Sequence, residues 1–191
     1  RVPRADLTGA GEWANHVPAR ATGPNATSCN SCHNLPSDDG AGDAAANVHR
    51  DPQHSGVLSK MIQRNTPGVF ALGGLQRLAE EMTDKLLQIK DQAKSQACSQ
   101  GSSTKDLIAK GISYGKIKAT KTQNNPCKVS FDTSQVKGVG TDLVVRPFQW
   151  KGNFAFIREF NRDASHNELG MQAVEIAGDN VDGDSDGVAN E

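Results

Sequence analysis

The chain has few aromatic residues and no long apolar run. Phe, Trp and Tyr together make up 5% of the 191 residues, so a large flat cofactor would help to fill the core. No stretch approaches the roughly 18 continuous apolar residues of a transmembrane helix, which predicts that the chain has no membrane span. The net charge of −1 gives no reason to expect binding to nucleic acid or another polyanion.

The small net charge hides an uneven distribution. Residues 60–151 hold 15 Lys and Arg against 7 Asp and Glu, whereas residues 152–191 hold 2 against 9. The plain interpretation is a solvated basic surface beside an acidic tail. Two functional interpretations remain open, namely a docking face for an acidic redox protein and head-to-tail contacts between copies of the chain.

The four cysteines include one pair in a short motif. Cys29, Cys32 and His33 form the pattern C-x-x-C-H, which is typical of covalent haem attachment. Two thiols add to the two vinyl groups at one porphyrin edge, two residues span that edge, and the adjacent imidazole becomes an axial ligand of the iron. The motif therefore predicts one haem c.

Other uses of this motif fit the sequence less well. A zinc site needs a second pair of ligands at suitable spacing, but Cys98 and Cys127 are isolated. A thioredoxin-like redox pair needs a buried strand before it, and residues 21–28 do not read as one.

The remaining cysteines, Cys98 and Cys127, are an even pair. Haem c is attached on the outer side of the membrane, where disulfides also persist, so we predict a periplasmic or extracellular protein with a Cys98–Cys127 disulfide. The bond would close a loop of roughly 30 residues and contribute about 3 kcal/mol.

Longer stretches resemble a known family. SCNSCHNL followed by RNTPGVF resembles the first-haem half of bacterial di-haem cytochrome c peroxidases. GISYG, then DTSQVKGVGTDLVVRPFQWKGNFAFIREFNRDASHNELGMQ, and finally DGDSDGVANE resemble the di-haem oxidoreductase relatives. The resemblance covers most of residues 24–191 and implies a redox function at the haem.

The chain departs from the family pattern in two places. It has one C-x-x-C-H motif where the family has two. Where the peroxidases have W-D-G-R-A and then a catalytic glutamate, this chain has the run 150–154 (WKGNF) and Arg158. We therefore predict single-electron transfer without catalytic residues. A peroxidase-like di-haem oxidoreductase half with its second haem on another domain or chain, and a haem-bearing subunit of an extracellular assembly, are the alternatives.

The sixth iron ligand has two principal candidates. Met171 follows a predicted helix and a glycine, and the relatives carry a Met at this position of the GMQ run. His49 lies 16 residues after His33, and the peroxidases have their distal His at the matching offset. We favour Met171 over His49, with another residue or an open site as further alternatives.

An acidic loop near the end of the chain suggests a calcium site. Asp182, Asp184 and Asp186 follow the D-x-D-x-D-G pattern, in which alternate carboxylates converge on one hard cation. The bidentate Glu of such loops has no counterpart, so a plain acidic tail is an equal alternative.

The periodicity predicts a mainly α fold, a cytochrome c-like haem domain spanning 1–191. Leu75, Leu78, Met82, Leu86 and Ile89 form one apolar stripe on a helix over 72–97. Short strands are expected in a small β-rich insert at about 99–146, bracketed by the predicted disulfide. Three further segments are predicted: a helix from near Ser55 to before Pro67, a helix over 153–166, and an acidic loop at 178–191.

Overall fold

The chain divides into two units. The motif unit comprises Arg1–Ala71 and Arg158–Glu191, and the helix–sheet unit comprises Leu72–Ile157. The structure, a computed structural model, describes residues 26, 28–43, 48–50, 57–149, 151–169, 171 and 174–180.

A long helix, α1 (Leu72–Gln100), begins the helix–sheet unit. It confirms the helix predicted over 72–97. Met82, Leu86 and Ile89 of the predicted stripe are buried, but Leu75 and Leu78 are about two-fifths exposed. Small residues continue the buried face toward the end of the helix, where Ala93 and Ala97 are fully buried. Their size lets the sheet approach the helix backbone closely.

Three antiparallel strands cover this face of α1. They are β3 (Ser102–Ala109), β4 (Ile112–Gln123) and β5 (Lys128–Asp132), with β4 in the centre. Buried and exposed residues alternate along β3 and β4, because successive side chains of a strand point to opposite faces. Lys110 and Gly111 connect β3 to β4 with φ values of 48° and 79°, as a tight two-residue hairpin requires.

The core of this unit lies between helix and sheet. Leu86 of α1 packs with residues from β3, β4 and the segment after β5, all fully buried: Leu107, Ile117 and Leu143. The predicted disulfide is present and joins Cys98, near the end of α1, to Cys127, which immediately precedes β5. It therefore links the helix to an edge strand of the sheet.

The prediction of a mainly α fold is wrong. Among the residues that the structure describes, about 25% are in strands and 36% in helices, and the buried core cluster lies between a helix and an antiparallel sheet. The error arose because β3 was not recognised as a strand. Its Ser, Lys and Asp residues carry little hydrophobic signal, yet the partner strand and α1 bury its alternate side chains.

The motif unit is built from short elements. β1 (Val48–Arg50) pairs antiparallel with β2 (Ile62–Arg64), and α2 (Ile157–Ala164) leads into a π-helical turn at Ser165–Leu169. A last short helix, α3, spans Val174–Ala177.

Two of the predicted helices fall on these elements. The helix predicted over 153–166 is confirmed for its central part by α2. The helix predicted before Pro67 is wrong over the described residues, which form a single 3₁₀ turn at Leu58–Lys60 and then β2. Pairing with β1 outweighs the weak local preference of this segment. None of the helices that the structure describes is long and apolar enough to cross a bilayer.

Candidate functional site

The C-x-x-C-H motif forms one tight turn. Cys29–Ser31 is a 3₁₀ helix, and the carbonyl oxygen of Cys29 accepts hydrogen bonds from the N–H groups of Cys32 at 3.1 Å and His33 at 3.0 Å. Both cysteines and the histidine are therefore held by one backbone acceptor. The two cysteines and the histidine therefore lie on one short, hydrogen-bonded turn of the backbone.

The two thiols differ in their exposure. Cys29 is exposed and Cys32 is half-buried, and neither takes part in a disulfide. An exposed thiol is open to addition at a vinyl group, whereas a cysteine in a disulfide would have no sulfur to offer.

His33 is oriented by two backbone carbonyl groups. Its Nδ1 lies 3.0 Å from the carbonyl oxygen of Pro67 and 3.3 Å from that of Gly40. A carbonyl oxygen can only accept, so these contacts require a hydrogen on Nδ1, and in the neutral ring Nε2 then keeps its lone pair. This is the tautomer that a metal-binding imidazole needs when its other nitrogen is held by an outer partner.

The loop after His33 is folded tightly enough to present one of these carbonyls. Asn34, with a φ of 82°, accepts a hydrogen bond on Oδ1 from the N–H of Gly40 at 2.6 Å. The ring of Phe70 packs on Gly40 so closely that a Cβ there would lie 2.8 Å from it. Position 40 therefore requires glycine for two reasons. A side chain would meet the Phe70 ring, and the φ of +79° disfavours any residue that has a Cβ.

The second carbonyl is fixed by a neighbouring segment. The N–H of Gly42 donates to Thr66 at 3.3 Å, and the N–H of Val69 donates to Gly40 at 3.0 Å. Pro67 lies between these two bonds, so its carbonyl is held beside the loop that follows the motif.

Several apolar side chains of the motif unit are exposed. Phe70 is the largest of them and is 63% exposed. The others are between 43% and 52% exposed: Leu35, Val57, Ile62, Met171 and Val174. Of these side chains, Phe70 lies beside the His33 site, because its ring packs on Gly40.

Met171, the favoured sixth ligand, belongs to a turn tied to the motif segment. Its N–H donates to the carbonyl of Ser165 at 3.1 Å, and its own carbonyl oxygen lies 3.3 Å from Nδ1 of His166. The N–H of Ala26 donates to the carbonyl of Glu168 at 3.0 Å. The structure thus brings the Met171 turn to the segment that leads into Cys29.

The other predicted ligands are described less fully. His49 lies on β1, where its backbone pairs with Gln63, but its side chain is outside the described residues. Asp182, Asp184 and Asp186 also lie outside the described residues. In the part of the chain that the structure describes, no three His, Cys, Asp or Glu side chains form a metal-binding group.

The position that matches the catalytic glutamate of the peroxidases is engaged in an ion pair. Arg158 on α2 contacts Glu175 on α3 at 2.6 Å. Hydrogen bonding to the Glu175 backbone, together with the charge of Arg158, lowers the pKa of the Glu175 carboxyl against the effect of burial. Glu159 is half-buried on the same helix. Arg158 is a permanent cation and cannot serve as a general base.

The residues present fit a covalent haem. Cys29 and Cys32 supply two thiols on one turn, His33 offers Nε2, and Met171 supplies a thioether on a turn near the same segment. Sequence reasoning missed the partners that orient these groups, namely Gly40, Pro67 and His166, because a hydrogen bond to a backbone carbonyl leaves no pattern in a sequence. Only the RNTPGVF run, which contains Pro67, gave a signal.

Comparisons of the whole chain with protein-family models, curated proteins and solved structures gave no match. The resemblance to di-haem oxidoreductases therefore stays a prediction, carried by the motifs quoted above.

Proposed function

We propose that this chain is a c-type cytochrome that transfers single electrons outside the cytoplasm. Cys29 and Cys32 hold one haem through thioether bonds, and His33 is its proximal ligand. The observation that supports this best is the 3.0 Å separation between Nδ1 of His33 and the carbonyl oxygen of Pro67. It leaves Nε2, on the opposite side of the ring, as the donor atom for iron.

Each side chain at the site has a defined task. The thiols prevent loss of the cofactor, and the Pro67 carbonyl orients the imidazole and strengthens it as a ligand. When bound, haem supplies an iron that alternates between the ferrous and ferric states. Met171 is the favoured sixth ligand, since a thioether raises the reduction potential relative to a second imidazole. His49 is the alternative.

An acidic redox protein is the proposed partner. The helix–sheet unit carries 13 Lys and Arg against 7 Asp and Glu, and its lysines on the open sheet face include Lys116, Lys118 and Lys128. Long-range attraction of this kind speeds encounter and weakens with salt. The Cys98–Cys127 disulfide is compatible with an oxidising compartment, either the periplasm or the extracellular space.

Covalent attachment is tested by producing the full chain in a bacterial periplasm with haem-attachment enzymes. We expect a coloured protein whose intact mass includes one haem and whose colour resists acid–acetone extraction. Cys29→Ser with Cys32→Ser should abolish attachment. The matched control, Cys98→Ser with Cys127→Ser, also removes two sulfur atoms but should keep the haem. A colourless native chain, or colour lost on extraction, contradicts the proposal.

Peroxide separates the carrier from the peroxidase-like alternative. A pure carrier reduced by a donor should show no rapid turnover when peroxide is added, because Arg158 stands at the position that matches the peroxidase glutamate. Fast, sustained oxidation of the donor would instead favour an enzyme and contradict the carrier function. A calcium site at Asp182, Asp184 and Asp186 stays a prediction, checked by calcium titration of the full chain.

A further inference from the structure

The main chain of Met171 is held at both of its polar groups. Its N–H donates to the carbonyl of Ser165 at 3.1 Å, and its carbonyl oxygen accepts from Nδ1 of His166 at 3.3 Å. Because a carbonyl oxygen only accepts, this hydrogen bond requires a hydrogen on Nδ1 of His166. Two bonds on one residue fix its backbone and leave its side chain to project.

The two residues of this pair differ sharply in burial. His166 is 5% exposed, whereas Met171 is 52% exposed. An exposed thioether contributes little packing, so the side chain of Met171 does not hold the turn in place. The hydrogen bond from the enclosed imidazole and the bond to Ser165 do this instead.

The same turn is attached to the segment that leads into the haem motif. The N–H of Ala26 donates to the carbonyl of Glu168 at 3.0 Å. Ala26 is three residues before Cys29, and Glu168 is three residues before Met171. At a maximum of about 3.6 Å per residue, both Cys29 and Met171 lie within about 11 Å of this bond.

We propose that His166 is the positioning residue for the sixth haem ligand. It fixes the carbonyl of Met171, so that the thioether projects from a turn that is hydrogen-bonded to the segment leading into Cys29. The inference rests on the proposed function and adds a residue to it. The irregular π-helical backbone at Ser165–Leu169 supports this role, because single π turns occur frequently at functional sites.

Two substitutions separate the hydrogen bond from the volume of the ring. In His166→Asn, the amide nitrogen takes the place of Nδ1 and can donate to the same carbonyl. In His166→Leu, the apolar volume stays and the donor is lost. Ile117→Val in the helix–sheet unit is the control, because it removes buried volume far along the chain from the turn.

The measurements use the full chain with haem attached. The first is the weak far-red band that ferric haem shows with a thioether ligand, and the second is hydrogen exchange of peptides spanning residues 165–171. We expect His166→Leu to lose the band at an unchanged haem content and to raise exchange in the turn about fivefold, the effect of losing one ordinary hydrogen bond. His166→Asn and Ile117→Val should retain both signals.

Two results would overturn this role of His166 alone. They are a full far-red band in His166→Leu, and a loss in His166→Asn as complete as in His166→Leu. A native protein with covalent haem but no band would overturn this role together with Met171 as the sixth ligand, while covalent attachment would stand. A native protein that carries no covalent haem overturns the proposed function together with this inference. Haem content by mass and the band by spectroscopy thus report the two failures separately.

Discussion

Nδ1 of His33 lies 3.0 Å from the carbonyl oxygen of Pro67, 34 residues further along the chain. This contact joins the last residue of the cysteine motif to a segment that the motif itself does not specify. It fixes the tautomer of the ring and turns Nε2 outward from the anchoring loop. Gly40 supports the same arrangement, because its carbonyl oxygen is the second partner of Nδ1.

Gly40→Ala should destabilise the motif unit by about 2 kcal/mol and lower haem incorporation, because the left-handed backbone and the ring of Phe70 both oppose a Cβ. Gly73→Ala is the control, since nothing lies within 4 Å of its Cβ and alanine favours a helix. Chemical denaturation and haem content per chain measure the effect. Equal behaviour of the two variants would contradict this role of Gly40.

Gly115→Ala should disrupt the sheet much more than an ordinary glycine substitution. Its Cβ would lie 1.9 Å from the carbonyl oxygen of Gln135, and its φ is +83°. We expect a loss of about 3 kcal/mol or more in unfolding free energy.

Gly111→Ala is the matched variant, because its φ is +79° but nothing lies within 4 Å of its Cβ. It should lose only about 1 kcal/mol, the cost of the backbone conformation. A similar loss in both variants, measured by urea unfolding, would mean that the close approach to Gln135 has no energetic effect.

Removal of the disulfide should weaken the helix–sheet unit without affecting the haem. Cys98 and Cys127 are 29 residues apart in sequence, so Cys98→Ser with Cys127→Ser is expected to lower the free energy of unfolding by about 3 kcal/mol. The visible spectrum should stay unchanged. Reduction of the native protein by dithiothreitol should shift the unfolding midpoint in the same direction, and an unshifted midpoint would argue against the bond.

The Asp142–Arg146 pair should make stability sensitive to acid. The Arg146 side chain donates to the Asp142 carboxylate and holds its pKa at about 2, below the ordinary 3.8. A lowered folded-state pKa contributes stability above pH 3.8, and that stability is lost as pH falls toward 2.

The effect should be below about 1 kcal/mol, because the Asp142 side chain is 47% exposed and water screens the pair. Urea unfolding at pH 5 and pH 2 should show a smaller acid loss in Asp142→Asn than in the native chain. Asp91→Asn on α1 is the control for removing one negative charge, and it should retain the native acid loss.

Features of the protein could be predicted from the sequence where neighbouring residues in the sequence are also neighbours in the fold. Cys29, Cys32 and His33 are close in the sequence and also lie on one turn of the fold. Haem attachment at this turn stays a prediction. The long helix was equally clear because its period of three to four residues repeats over many turns. The disulfide followed from the even count of the remaining cysteines and the expected compartment.

Contacts between residues far apart in the sequence could not be predicted from it. β3 was missed because one of its buried residues is the polar Ser103 and the apolar Ile108 is exposed, so only pairing with β4 and packing on α1 make it a strand. This omission caused the wrong prediction of a mainly α fold. The exposure of Leu75 and Leu78 could not be predicted either. Periodicity identifies the apolar face of a helix but not how much of that face other elements pack against.

The amino-acid sequence by itself determined which thiols, imidazole and thioether are available and which of them are adjacent. The tertiary structure alone decided how they are oriented, through the carbonyls of Gly40 and Pro67 at His33 and the imidazole of His166 at Met171. The physical reason is that every residue type has a backbone carbonyl that can accept a hydrogen bond. Its partner is therefore set by the path of the chain and not by residue identity.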